Sequence, residues 1–94
     1  MSYLSTQKRL VGKYVVTQHA VRKMKQRYGD EYIGNAKIKN LNKNKVKRKI
    51  RKTLREDIKF VSEQDDGAVY VRTEHFSAIV VPEFNNKVVT ILDH

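Results

Sequence analysis

From Asn42 or Lys43 to Ile58, the chain places an aliphatic side chain at every fourth residue: Val46, Ile50, Leu54 and Ile58. On an α-helix these four make one narrow apolar stripe along the axis. Around the stripe stand Lys43, Lys45, Lys47, Arg48, Lys49, Arg51, Lys52 and Arg55. The segment is therefore expected to be a helix that buries one thin face, with Lys47 and Arg51 turned to water. Nine basic residues and no acidic one lie between Asn35 and Lys52. Solvated helices usually mix signs and gain from Glu–Lys pairs four apart, whereas like charges at that spacing cost stability. Crowded cations of this kind point to a polyanionic partner.

The rest of the composition sharpens that expectation. Met1 to Arg55 holds 17 basic and 2 acidic residues, a net of +15, and Glu56 to His94 holds 3 basic and 8 acidic, a net of −5. A basic N-terminal part and a mildly acidic C-terminal part form an electrostatic dipole. Its natural partner is a polyanion, in the cytoplasm usually RNA or DNA. An acidic host protein is the other class that such a surface suits. Ninety-four residues make a single domain with one modest core. There is no cysteine, so disulfides and thiolate metal sites are excluded. His19, His75 and His94 lack ligand spacing, and no metal or other cofactor is expected. No apolar run is long enough to span a membrane, and MSYLSTQKRL lacks the apolar core of a secretory signal. The expected setting is the cytoplasm, without a membrane partner.

Met1 to Lys13 reads as a loosely held lead-in, with Leu4, Leu10 and Val11 as contacts. A short strand, Tyr14 to Val16, precedes a helix for which Thr17 is the N-cap. Ala20, Val21, Met24 and Tyr28 gather on one arc of this helix. His19, Lys23 and Arg27 form a second row beside it, with Arg22 and Gln26 on the row's far flank. Gly29 is expected to stop the helix in a left-handed conformation. Asp30 to Asn42 reads as a loop pinned to the core by Tyr32, Ile33, Ile38 and Leu41. After Ile58 the period becomes alternating, with turns at Asp65-Asp66-Gly67 and Asn85-Asn86. Ala68 to Thr73, Phe76 to Val81 and Lys87 to Leu92 are three strands, joined by a fourth if Lys59 to Ser62 pairs with them. SAIVV should be a central strand that Pro82 closes. The expected fold class is α+β: two N-terminal helices packed on a curled antiparallel β-meander of three to four strands.

This order of elements resembles small bacterial, plasmid and phage domains in which a strand leads into a helix reading H-A-x-x-R-M-x-x-R. They are similar in turn to the ribonuclease-toxin fold of RelE, barnase and the colicin tRNases. His19-Ala20, Met24 and Arg27 match the helix pattern, while Lys23 stands where the first arginine falls and Arg22 lies one step early. Thr90 in VVTIL resembles a threonine of the last strand. Lysine keeps the charge but loses the planar fork that grips a phosphate through two parallel hydrogen bonds.

The resemblance implies a fold more than a reaction; it favours RNA over DNA as the partner, allows an acidic antitoxin, and the reaction open to such a scaffold is metal-independent RNA cleavage. Such cleavage needs a base for the 2′-OH, an acid for the leaving 5′-oxygen and cations on the phosphorane. Histidine, which exchanges a proton near neutrality, suits either transfer. His19 is thus the candidate for proton transfer, Lys23, Arg27 and Arg72 for charge stabilisation, and Thr90 for positioning. Alternatively, His19 bonds a nearby carbonyl and Arg72 pairs with Glu74 or Glu83. Tyr70 and Phe76 are candidates to stack on bases or to pack in the core. Three functions follow: an RNA-directed protein, with endoribonuclease activity as its catalytic form, a non-catalytic nucleic-acid-binding module of phage or mobile-element type, or an interaction protein that docks an acidic host surface. Arg22 with Lys43, Lys45, Lys47, Arg48, Lys49, Arg51 and Lys52 would carry the binding.

Overall fold

A computed structural model describes residues 13–93. The lead-in at 1–12 and His94 lie outside the described residues. The elements are β1 (Val15–Val16), α1 (Gln18–Tyr28), β2 (Tyr32–Ile33), β3 (Ala36–Lys37), α2 (Lys43–Glu56), β4 (Ile58–Glu63), β5 (Val69–Thr73), β6 (Ser77–Val81) and β7 (Lys87–Leu92). Short 3-10 turns cover Ile38–Asn40 and Pro82–Phe84.

The class is α+β, but the sheet is larger than expected and is mixed. Five strands run in the order β1-β7-β6-β5-β4. Strands β4 to β7 are the antiparallel meander, and β1 adds to it by pairing parallel to β7, Val15 with Lys87 and Val16 with Val88. A separate two-stranded hairpin, β2–β3, replaces the loop expected before α2. Gly34 and Asn35 form its two-residue turn, and Gly34 has φ +64, the positive value that primed hairpin turns need. Ile33, Ile38 and Leu41 do pack on the core, whereas Tyr32 is 64% exposed and pins nothing.

Both helices start as their caps require. Thr17 Oγ1 accepts the Ala20 N–H at 3.0 Å, and Asn42 Oδ1 accepts the Lys45 N–H at 2.9 Å. Gly29 does not stop α1 through a positive φ; its φ is −61. A Cβ there would collide with the Lys25 carbonyl oxygen and lie 3.1 Å from the Lys39 Cβ, so close approach is what demands glycine. Helix α2 stops at Glu56, two residues short of the expected end, because Asp57 caps it and Ile58 has already entered β4.

The helices cover one face of the sheet. Val46, Ile50 and Leu54 of α2 are buried with Ala20, Val21 and Met24 of α1 against Val69, Val71, Val80, Val88 and Ile91. Ile58 is only half-buried, and buried Thr53 widens the stripe by returning its hydroxyl to the Lys49 carbonyl at 2.9 Å. Lys47 and Arg51, expected in water, are half-buried on the flank of the stripe, where long aliphatic stems commonly lie on apolar surface. Phe76 is wholly buried and therefore a core residue, not a stacking platform. Turns fall at Asp65-Asp66-Gly67, with φ +87 at Gly67, and at Asn85-Asn86, with φ +58 and +54. Strand β6 is central and ends at Val81 before Pro82, though Ile79 and Val81 keep partial exposure. Among the described residues no helix is long and apolar enough to cross a membrane.

Leu54→Ala should cost about 2–5 kcal/mol of stability in urea denaturation, the range for truncation in a packed core. Arg48→Ala, on the wet side of the same helix, should change it by no more than about 0.5 kcal/mol. Equal losses would overturn the helical register.

Candidate nucleic-acid interface

Helix α2 carries eight basic residues and one acidic residue in 14 positions. Lys43, Lys45, Arg48, Lys52 and Arg55 are exposed, while Lys47, Lys49 and Arg51 are half-buried. Among the described residues none of the eight forms an ion pair; the salt bridges join Arg27 to Asp93, Lys37 and Lys39 to Asp30, and Lys59 to Asp57. Because the apolar stripe faces the sheet, the exposed cations point away from it.

Helix α1 runs along the outer side of β7. The Thr17 N–H donates to the Val88 carbonyl at 3.3 Å, and the Thr17 hydroxyl lies 2.9 Å from the Val88 oxygen and 3.2 Å from that of Val89. At the other end Tyr28 OH donates to the Leu92 carbonyl at 2.9 Å. Next to it Arg27 makes an ion pair with Asp93. Of the α1 row, then, Arg27 is held at the end of β7, and Lys23 Nζ donates to Gln26 Oε1 at 3.3 Å. His19 is exposed and has neither a hydrogen bond nor an ion pair among the described residues. Arg22 is exposed one step away.

Arg72 and Thr90 lie on the sheet face away from the helices. Register shows why: Arg72 pairs with Ser77, which pairs with Leu92, and Thr90 pairs with Ile79, which pairs with Tyr70. The core side chains Val71, Ala78 and Ile91 alternate with these on the opposite face. Arg72 therefore stands two strands, roughly 10 Å, from Leu92 and the Arg27 end of β7. It is exposed and pairs with neither Glu74 nor Glu83. Across from it on β4 is Phe60, 48% exposed and packed edge-to-face on Tyr70 at 6.4 Å. This aromatic pair escaped the sequence reading because the alternation of β4 is interrupted by an irregularity between Ile58 and Phe60. Arg72 and Thr90 thus lie on the opposite side of the sheet from the cations of α2, and also from α1, which carries His19, Lys23 and Arg27.

At the far end of α2, Asp57 binds three elements together. Its backbone N–H donates to the Thr53 carbonyl, Oδ2 accepts the Glu74 N–H at 3.2 Å, and Oδ1 lies 3.1 Å from Lys59 Nζ. With Glu74 and His75 it forms a group whose donor atoms lie within 4.8 Å of one another, the only such three-residue group among the described residues. Asp57 already spends both oxygens on the Lys59 ammonium and the Glu74 N–H, which explains the cluster as a structural tie. The Lys59 hydrogen bond holds its carboxyl below the ordinary aspartate value; partial burial opposes this, and the Glu74 N–H and the charges of Lys59 and His75 reinforce it. Asp30 is lowered in the same way, first by the Lys39 hydrogen bond and then by the charges of Lys39 and Lys37.

A depressed folded value means that these carboxylates stabilise the protein fully above their unfolded value of about 3.9 and lose that contribution as pH falls through the folded value. Carboxyl chemical-shift titration should find both aspartates below the ordinary range, and Lys59→Met should move Asp57 alone upward. Compared with known proteins, the chain matches no family model, no curated sequence and no solved structure.

Proposed function

We propose that the chain is an RNA-directed binding protein in which α2 contacts the phosphate backbone. The observation that carries this reading is the set of eight α2 cations, none with a carboxylate partner among the described residues, of which Lys43, Lys45, Arg48, Lys52 and Arg55 are exposed on the side of the helix turned from the core. Within a folded protein such repulsion is relieved by an external polyanion, which also releases condensed counterions when it binds. If about five of these charges meet phosphates, log K should fall with log[salt] at a slope of roughly −3.5 to −4.5. Replacing Lys45, Arg48 and Lys52 by glutamine should weaken binding to all sequences alike and flatten the slope. A slope near zero in filter binding would sink the proposal, and tight binding to acidic proteins in its place would favour the docking alternative.

Endoribonuclease activity on a ribonuclease-toxin-like scaffold is the second reading. What favours it is the common face of Arg72 and Thr90. What weighs against it is that Asp93 engages Arg27, and that Lys23 replaces the arginine of the resembled helix. An active enzyme should cleave total RNA in the presence of chelator and leave 2′,3′-cyclic phosphate ends. His19→Ala should then slow cleavage by about 10²-fold or more. Intact RNA after prolonged incubation leaves the binding module.

A further inference from the structure

Beside α2 the β2–β3 hairpin borders an open hollow of about 480 Å³, within the size range of small-ligand sites. Its lining divides by chemistry. Ile33, Ala36 and Leu41 supply apolar surface, and all three pack on or within the core. Lys45, Arg48 and Lys52 line the α2 side together with half-buried Lys49; the first three are exposed, and none of the four is in an ion pair among the described residues. The three exposed positions recur at i, i+3 and i+7, so they follow one flank of the helix over roughly 10 Å. Among the described residues no acidic side chain lines the hollow.

A row of cations beside an apolar recess fits a ligand with repeated negative charge and a flat apolar part. A monovalent organic anion would use one of the three charges and leave the others unmet. A phosphate chain uses the row, and a base turned out of it fills the recess. We propose that the hollow between the hairpin and α2 receives one unpaired base of single-stranded RNA, with successive phosphates on Lys45, Arg48 and Lys52. This rests on the reading of α2 as an RNA-contacting helix and narrows its target. A duplex presents its phosphates to the same row but keeps its bases stacked and paired. The backbone charge supplies affinity for both forms, and the recess discriminates between them. The hairpin sets the depth of the recess. Its turn stands in open space at Gly34, where φ is +64 and a Cβ would meet no atom within 4 Å.

The test is fluorescence anisotropy at one salt concentration, with a single-stranded RNA 10-mer, the same sequence as duplex, and a 10-mer carrying abasic sites. The single strand should bind at least about tenfold more tightly than the duplex, and abasic sites should remove most of the difference. Ala36→Leu, which fills the recess, should lower single-strand affinity to the duplex level. Should that variant not fold, methyl resonances of Ile33, Ala36 and Leu41 in the unaltered protein carry the same test, shifting with the single strand and not with the duplex. Equal affinity for both forms with unmoved methyls overturns the recess and leaves the α2 reading standing. No binding to either form overturns both.

Discussion

The burial of Val46, Ile50 and Leu54 is the condition under which α2 can exist as a helix. Isolated helices of this length are marginal in water even with favourable sequences. This one adds like-charged neighbours four apart: Lys43 with Lys47, Lys45 with Lys49, Lys47 with Arg51, Arg48 with Lys52, and Arg51 with Arg55. At about 0.2–0.5 kcal/mol each, these five pairs cost roughly 1–2.5 kcal/mol. Burying three aliphatic side chains contributes about 1.5–3 kcal/mol apiece, so packing wins with a margin to spare. The sheet therefore acts as the counterweight to the charge. Its core-facing valines hold in place a helix that its own electrostatics oppose.

Strand β7 does the equivalent work for α1. Its outer edge is paired by β1 for two residues only. Beyond that, Thr17, Tyr28 and Arg27 engage Val88, Leu92 and Asp93 in turn, so a helix shields an edge that would otherwise be open. The same side chains orient α1, and the orientation decides what its basic row can meet. Arg27 reaches the strand end and is neutralised there, while His19, near the opposite end of the helix, stays in water. The molecule consequently has two basic regions of different character. The one on α2 is dense and without an ion pair among the described residues; the one near Arg72 is sparse and bordered by the Phe60–Tyr70 pair.

Much of this was legible in local pattern. The Thr17 cap, the α2 stripe, the turns at Gly67 and at Asn85-Asn86, and the antiparallel order of β4 to β7 all depend on residues near one another in the chain. The missed features have a different origin. Strands β2 and β3 are two residues each, too short for periodicity to register, and the Gly34-Asn35 signal between them was the clue available. The parallel pairing of β1 has no local signature, since its partner is about 70 residues away. The candidate face on the sheet was hidden by a phase change. Val80 pairs with Val88 and Ile79 with Thr90, so Val89 is an extra residue, and Val88 and Ile91 both face the core although three positions separate them. Strict alternation along VVTIL cannot produce that arrangement. Most cations of α2 needed no such long-range knowledge, because a stripe on one face leaves Lys43, Lys45, Arg48, Lys52 and Arg55 the other, while Lys47, Lys49 and Arg51 lie half-buried on its flank.

The bond between Thr17 and Val88 also imposes an order in time. These residues are separated by 71 positions. At about 5–20 residues per second, ribosomal synthesis delivers the second roughly 4–14 s after the first. During that interval α1 has no strand to lie along, and α2 lacks most of the sheet that covers its stripe. The nascent basic half therefore waits as a charged, unfinished chain. Its mutual repulsion, a burden to the folded helix, then serves to keep that chain extended and apart from its copies until the last strand arrives.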